Sequence, residues 1–339
     1  MRLCNFLCFL CQIITYLCIS ENNISNSNSS SYKPYHIMKI IYMGTPEFAV
    51  YPLKALLDSG KQIVAVVTVP DKPVGRGQKV RFSPVKEFAL ENKLPLLQPT
   101  NLKDDAFIET LRAFGADLQI VVAFRMLPEA VWNMPRLGTV NLHASLLPQY
   151  RGAAPINRAI IDGETRTGVT TFRLKHEIDT GDILLQQSVD ILPTDNAGSL
   201  HDKLAAIGSK LVVETVEAIE NNSVQPVVQP TDCMLKSAPK IFKDDCRLDF
   251  SKTCLQLHNT VRGLAPYPTA WFEYNGLLIK VFETDYEQTD HSFEFGRIVS
   301  DNKTYAKVAV ADGFLYLKNL QLAGKRRMNI GDLLLGHKF

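Results

Sequence analysis

Between residues 38 and 220, short apolar runs alternate with stretches in which apolar residues recur every three or four positions. The runs at 39–43, 62–69 and 118–124 are rich in Val and Ile, as in buried strands. The stretch at 199–219 has Leu, Ile and Val on one helical face, which is typical of an amphipathic helix. This alternation predicts an α/β fold, with a mostly parallel sheet covered by helices on both faces.

The pattern changes after residue 220. An Asn-Asn pair and three prolines interrupt it at 221–240, which we interpret as a linker. A helical piece at 252–261 is then followed by short β-like runs separated by turn residues, which predicts a small OB-like β-barrel. The runs lie at 270–274, 277–283, 296–300, 307–311 and 314–321. We therefore expect a first domain at 38–220 and a C-terminal domain at 241–339.

Residues 1–37 have a different composition. An apolar, cysteine-rich run at 3–19 precedes an Asn/Ser tract that has too little apolar surface to fold, so we expect disorder there. Such a run fits a secretory signal, a membrane anchor or an organellar leader. We favour a mis-assigned start, with translation beginning at Met38, because a predicted strand follows that methionine at once. The mature body would then have no membrane segment.

Composition limits the classes of function. The chain has 339 residues, of which 46% are hydrophobic, enough for at least one large core. The formal net charge is only +2, so any nucleic-acid contact must come from a local basic patch. Only Cys233, Cys246 and Cys254 lie outside residues 1–37, and their spacing indicates neither a disulfide framework nor a zinc site. We expect a reducing compartment and no metal.

One such basic patch lies at 70–82, where four basic residues are interspersed with two glycines and two prolines. Charged runs are usually solvated surface loops. Arg76, however, lies between two glycines that would let the backbone come close to a polyanion, and Lys79 and Arg81 follow it. On the residues alone, a surface loop and a mobile basic arm are evenly matched. A second basic cluster lies at 324–328.

Candidate chemistry concentrates at 139–182. Asn141 and His143 are two residues apart in an apolar run, so in a strand they project from one face, about 7 Å apart. Asp179 follows in an acidic turn after the next β-like segment. An amide, an imidazole and a carboxylate could therefore meet at the ends of neighbouring strands.

Each of these residues also has a structural interpretation. An isolated strand histidine is usually structural, and an aspartate before Thr-Gly is usually a turn former. Asp182 and His176 are ionisable alternatives nearby. The sequence has no GxSxG motif and no cysteine near the three residues, so a protein nucleophile is unsupported.

Six segments carry a resemblance to a known family. In chain order they are MGTPEFAV, PDKPVGRGQKVRFSPVK, VNLHASLLPQYRGAAPI, IDTGDILL, PYPTAW and LQLAGKRRM. Together they resemble the methionyl-tRNA formyltransferase family over nearly all of residues 38–339. The resemblance implies a Rossmann-like formyltransferase catalytic domain at 38–220 and an OB-like domain at 241–339 that binds tRNA.

The resemblance also implies roles for individual residues. The family's catalytic residues correspond to Asn141, His143 and Asp179, its folate-binding element to Ser145, Leu146, Leu147 and Pro148, and its loop for the tRNA acceptor end to Arg76, Lys79 and Arg81. One departure is visible. Many members have Ala-Tyr-Gly where this chain has Ala123-Phe124-Arg125, which removes a phenol and adds a charge beside the expected site.

The implied reaction moves the formyl group of 10-formyltetrahydrofolate to the amino group of methionyl-initiator tRNA. Asn141 and His143 would stabilise the oxyanion, and Asp179 would orient the imidazole and accept the proton of the attacking ammonium. Two alternatives are a formyltransferase for a small amine, such as glycinamide ribonucleotide or an amino sugar nucleotide, and a non-catalytic RNA-binding relative. We expect a cytoplasmic monomer, or an organellar protein if residues 1–37 are a genuine leader.

Overall fold

The computed structural model describes residues 37–74, 79–230 and 234–339. The strands of the first domain are β1 Lys39–Gly44, β2 Gln62–Val67, β3 Lys72–Val74, β4 Lys79–Arg81, β5 Leu96–Leu97, β6 Leu118–Val122, β7 Thr139–His143, β8 Arg151–Gly152, β9 Arg166–Arg173 and β10 Ile183–Asp190. In this part of the chain seven of them form one sheet, in the order β10-β9-β7-β6-β1-β2-β5. Neighbouring strands from β7 to β5 are parallel, whereas β9 runs antiparallel to both of its neighbours, β7 and β10. The predicted, mostly parallel sheet is confirmed.

Helices cover both faces of this sheet. They are α1 Val50–Asp58, α2 Pro84–Glu91, α3 Asp105–Ala113, α4 Glu129–Trp132, α5 Pro155–Ile161 and α6 Ala197–Glu220. Successive strand residues point to opposite faces, so Ile40 packs with α1 and α6 while Ile41 packs with α3 and α4. Both strand faces are therefore apolar, which explains the continuous hydrophobic runs in the sequence.

The C-terminal domain is a smaller antiparallel structure. It contains β12 Ala270–Tyr274, β13 Leu277–Gln288, β14 Ile298–Ser300, β15 Ala306–Val310, β16 Gly313–Leu322 and β17 Met328–Asn329, with helices α7 Cys254–Leu264 and α8 Ile330–Leu334; β11 Ser237–Ala238 precedes them. The sheet order is β12-β13-β16-β15-β14, with β17 beside β16. Its inner face and α7 enclose a separate apolar core. The expected second domain of antiparallel strands is confirmed, although β13 and β16, with 12 and 10 residues, are longer than the short runs that the sequence indicated.

We call residues 221–240 the connector, and its described parts, 221–230 and 234–240, contact the first domain. Val227 exchanges two main-chain hydrogen bonds of 2.8 Å with Ile183, at the start of β10. Further along, β11 pairs in parallel with β8, and the Lys236 carbonyl accepts a hydrogen bond from the Tyr150 N–H at 2.6 Å. The connector therefore contacts the segments that follow β7 and β9.

The two domains meet where α7 lies against α5. Gly263 permits this approach, because a Cβ there would lie 2.6 Å from Ile161 Cγ1 and 3.0 Å from the Asn157 carbonyl oxygen. Arg262 adds hydrogen bonds to the carbonyls of Leu192 and Asp195. Within the described residues, every helix is too short or too polar to traverse a lipid bilayer.

Candidate active site

His143 lies at the end of β7 and is only 7% exposed. Its Nε2 is 2.8 Å from the carbonyl oxygen of Tyr150. A carbonyl can only accept a hydrogen bond, so Nε2 carries a hydrogen and donates it. The other ring nitrogen, Nδ1, therefore faces Asp179.

Asp179 lies in the turn between β9 and β10, residues 178–182, which we call the Asp179 turn. Its backbone has a positive φ of 56°. One carboxylate oxygen, Oδ2, accepts a hydrogen bond from Gly152 N–H at 2.9 Å and lies 3.8 Å from His143 Nδ1. That second distance is too long for a direct hydrogen bond, but it places a negative charge beside the imidazole. The Tyr150 carbonyl, rather than Asp179, is thus the direct hydrogen-bond partner that orients the ring.

Asn141 lies two residues before His143 on β7, between β6 and β9. The intervening Leu142 packs into the core with α6, so Asn141 and His143 lie on the other face of the strand. Asn141 is half-buried, and among the described residues its amide has no hydrogen-bond partner. Its N–H groups can therefore donate to a substrate oxygen on the same face as the imidazole.

The two alternatives to these residues have other surroundings. Asp182 pairs with Lys175 at 2.7 Å, and His176 is exposed in the same segment. Of the two aspartates in the turn, Asp179 is the one beside the imidazole. The Lys175 side chain that pairs with Asp182 is 51% exposed, so this pair lies at the surface.

The segment after His143 is folded back on itself. Ser145 is buried and donates its hydroxyl hydrogen to the Gln149 carbonyl at 2.6 Å, while Leu147 packs against Phe172 and Ile183. Of the four residues 145–148, Leu146 and Pro148 are half-buried. If this loop contacts a folate, those two side chains are the ones accessible to it, whereas Ser145 and Leu147 shape the loop.

This site can supply an amide donor, an imidazole and a carboxylate to one reacting centre. The described residues contain no group of three or more His, Cys, Asp or Glu side chains that could hold a metal ion. Cys246 and Cys254 are buried in the C-terminal domain, and burial raises the pKa of both thiols. The available side chains therefore suit acid–base and electrostatic catalysis of acyl transfer.

Residues 38–216 match the family described as formyl transferase, and residues 240–338 match the formyl transferase C-terminal domain. The chain is 54% identical over 309 residues to methionyl-tRNA formyltransferase from Bacteroides thetaiotaomicron, covering 89% of this chain and 96% of the relative. It is 56% identical over 311 residues to the enzyme of that name from Phocaeicola vulgatus, with the same coverage. The chain belongs to the methionyl-tRNA formyltransferase family.

The fold is shared more widely than the sequence. The structure of an N-formyltransferase from Helicobacter canadensis, in complex with folinic acid and dTDP-3-aminofucose, superposes with a TM-score of 0.59 at 20% identity. The match covers 86% of this chain and 100% of that one. At this identity the likeness extends to the fold, across both domains.

The departure from the methionyl-tRNA formyltransferase pattern lies at the end of β6. Arg125 donates hydrogen bonds to the carbonyls of Pro99 and Thr100, in the loop after β5, and burial lowers the pKa of its guanidinium. Ala123 has a positive φ of 46°. The Arg125 guanidinium therefore ties two loops together at the same end of the sheet as His143.

The basic segment expected to contact tRNA is partly described. Arg76 lies outside the described residues, and of Lys79 only the backbone is described. Strands β3 and β4 pair as an antiparallel ribbon, so the segment is not a simple loop on either side of 75–78. Arg81 is exposed and lies opposite Lys72 in this ribbon. Two cations are thus adjacent on one exposed structure.

Sequence reasoning missed the part played by Tyr150. This residue has a positive φ of 60°, and its hydroxyl is 3.1 Å from Asp162 Oδ2 and 2.8 Å from Glu164 Oε1. Burial and these carboxylates raise the pKa of the phenol, which stays protonated and can donate. Because the residue acts on His143 through its main-chain carbonyl, no side-chain motif announces it. Only its position seven residues after the histidine could have suggested a local contact.

Proposed function

We propose that the protein transfers the formyl group of 10-formyltetrahydrofolate to the free amino group of methionyl-initiator tRNA. One observation carries the proposal: relatives of this name match the chain across both domains at more than half identity. The adjacency of His143 and Asp179 on the Asn141 side of β7 supports the same chemistry. The cytoplasm is the compartment in which both substrates would meet it.

The first step is attack of the methionyl amine on the formyl carbon. The ammonium must lose a proton before its lone pair can form the new C–N bond, and we assign this proton to the Asp179 carboxylate. The carbonyl π electrons move to the formyl oxygen, which becomes an oxyanion. Asn141 lies on the strand face toward which that oxygen would point, so its amide is the donor to it.

His143 contributes from Nδ1. Its Nε2–H is engaged by the Tyr150 carbonyl, so the ring can donate a hydrogen from Nδ1 only when it is the imidazolium cation. Asp179 passes the ammonium proton on to Nδ1 and, as a carboxylate again with Oδ2 3.8 Å away, stabilises that cation. When the tetrahedral intermediate collapses, the folate N10 leaves with the bonding pair and takes the Nδ1 proton, and the former amine nitrogen gives its second proton to the neutral Nδ1 that remains. The products are N-formylmethionyl-tRNA and tetrahydrofolate, with no covalent enzyme intermediate.

A formyltransferase for a small amine is the competing function. The Helicobacter canadensis protein, whose structure contains an amino sugar nucleotide, also aligns across 86% of this chain. A second domain therefore does not by itself select tRNA. The higher identity to relatives named for the tRNA reaction, and the exposed cations Lys72 and Arg81, favour the nucleic-acid substrate.

The test is to incubate the purified chain with 10-formyltetrahydrofolate and methionine-charged initiator tRNA, then to detect N-formylmethionine by mass spectrometry after deacylation. Charged elongator tRNA, glycinamide ribonucleotide and a dTDP-amino sugar serve as competing acceptors. Formylation of initiator methionyl-tRNA in preference to these is expected. Preference for a small amine would replace the proposed substrate.

The same assay addresses the non-catalytic alternative. Asn141→Ala should reduce turnover by about 10²–10³-fold, because it removes one donor to the oxyanion. tRNA retention in a filter-binding assay should be unchanged by that substitution. If the parent protein retains tRNA but gives no folate-dependent product, it is an RNA-binding relative without activity.

A further inference from the structure

Gln229 lies in the connector and is only 4% exposed. Its side-chain Nε2 donates to two main-chain carbonyls of the Asp179 turn, those of Asp179 at 2.9 Å and Gly181 at 2.8 Å. Its Oε1 accepts two hydrogen bonds from the Arg151 guanidinium, at 3.1 and 2.6 Å. Both N–H donors and the acceptor of this amide are therefore used.

These bonds join two segments that are distant in sequence. Arg151 belongs to β8, and the next residue, Gly152, donates its N–H to Asp179 Oδ2. The connector thus binds β8 through Arg151 and the Asp179 turn through the Gln229 amide. The same carboxylate oxygen is the one that lies 3.8 Å from His143 Nδ1.

The Asp179 turn needs such support. Asp179 has a positive φ, which costs a non-glycine residue energy unless neighbouring contacts impose it. Gly181 lies so close to β9 that a Cβ there would overlap the Arg173 carbonyl oxygen. Main-chain carbonyls in such a turn cannot satisfy one another, and the two N–H groups of a buried amide supply the missing donors.

We propose that Gln229 is a positioning residue that holds the Asp179 carboxylate beside His143, so that the connector forms part of the active-site support. The proposal rests on the catalytic role of Asp179 under the proposed function. Its physical basis is that acid–base and charge-stabilising groups lose efficiency with small displacements; about 1 Å of misplacement can cost on the order of 10²-fold in rate. The side chain must carry N–H donors, as an amide does, because the Asp179 and Gly181 carbonyls can only accept hydrogen bonds.

The first variants are Gln229→Met, which keeps the approximate shape and removes every hydrogen bond, and Gln229→Glu, which keeps an acceptor for Arg151 but loses both donors. For both, kcat for formyl transfer should fall about 10- to 100-fold while KM for each substrate changes less than about threefold. If Gln229→Met does not fold, Gln229→Glu still tests the two donors that matter.

A matched control distinguishes positioning from general loss of stability. Asn259 in α7 is also a buried amide, 5% exposed, that accepts a hydrogen bond from an arginine, Arg262, at 2.9 Å. It lies at the junction of the domains. Asn259→Ala should lower the thermal midpoint without lowering kcat at a temperature where the variant is folded.

A double-mutant cycle with Asp179→Ala is the decisive measurement. If Gln229 acts through the Asp179 carboxylate, Gln229→Met should change kcat by less than about twofold once that carboxylate is absent. Equal fold losses in the two backgrounds would overturn the proposal, as would parental kcat in both single Gln229 variants. Failure of the proposed function has a different signature: the parent protein would form no product, or Asp179→Ala alone would retain parental kcat.

Discussion

The active site and the outer surface of the C-terminal domain use charge in opposite ways. His143 is 7% exposed, the Asp179 side chain is 12% exposed, and each is held by main-chain groups. On the C-terminal domain, Lys243 and Arg247 lie over the Trp271 ring, 5.7 and 5.6 Å from its centroid. Lys240 lies in the same way over Phe242, which is 61% exposed.

The difference fits the task that we propose for each region, oxyanion stabilisation for the first and tRNA binding for the second. A developing oxyanion is stabilised by few groups that are fixed and shielded from water, where each is worth more than in solvent. Attraction of a polyanion depends on many exposed cations that displace counterions from its phosphates, so the position of each cation matters little. Substitutions in the first region should therefore change turnover, and substitutions in the second should change tRNA affinity and its response to salt.

The largest effect is expected at the imidazole. His143→Ala should lower kcat by about 10³-fold, because it removes the group that donates to the intermediate and its leaving nitrogen. Single-turnover formylation at saturating substrates measures this step. His176→Ala provides the control, since that histidine is exposed in the segment before the Asp179 turn and should leave kcat unchanged. Near-parental turnover in His143→Ala would remove the residue from the mechanism.

A smaller effect, confined to binding, is expected on the C-terminal domain. Lys243→Ala combined with Arg247→Ala should raise KM for tRNA about 5- to 20-fold with little change in kcat or in KM for the folate. The slope of log affinity against log salt should decrease by about 1–2, as for the loss of two phosphate contacts. Lys54→Ala, on α1, removes an exposed cation elsewhere and serves as control. An unchanged salt slope would exclude this surface from tRNA binding.

Arg76→Ala extends the same comparison to the basic segment. It should weaken tRNA use about tenfold and leave folate binding unchanged, because the arginine would contact the nucleic acid and not the reacting centre. Isothermal titration with folate and filter binding with tRNA separate the two. Equal loss of both affinities would contradict a role in holding tRNA.

A substitution at the contact between the two domains should change the stability of the protein and not its turnover. Asp195 is buried; burial by itself would raise its pKa, but hydrogen bonds from Lys203 and the Leu192 N–H outweigh that effect and lower it. A depressed native pKa gives stability that is present above the unfolded value of about 3.9 and is lost as pH falls through the native value.

Asp195→Asn should therefore destabilise the protein by about 1–3 kcal/mol at pH 7, since a buried carboxylate with charged and main-chain donors is replaced. Urea unfolding across pH measures this, and the variant's stability should decline less steeply in acid than that of the parent. Turnover per folded molecule should not change. An identical pH dependence in both proteins would show that Asp195 is not responsible.

The sequence by itself determined the elements and the family. Buried strands such as β1 and β6 follow from continuous Val and Ile runs, and α6 follows from its apolar stripe, because these are local periodicities. The family resemblance assigned catalytic roles to Asn141, His143 and Asp179 before any coordinates, and those roles stay a prediction. The six family segments pointed to tRNA and folate, although the periodicity could not indicate that β9 runs antiparallel to β7 and β10.

Only the tertiary structure decided how those groups are held. It selected Asp179 over Asp182 as the neighbour of the imidazole and gave the Tyr150 carbonyl the contact that orients the ring. It also brought Gln229, from a segment that reads as a linker, to the Asp179 turn 50 residues earlier. Main-chain acceptors leave no mark on residue type, and contacts between distant segments depend on packing of the whole sheet, so neither can be read from a local pattern.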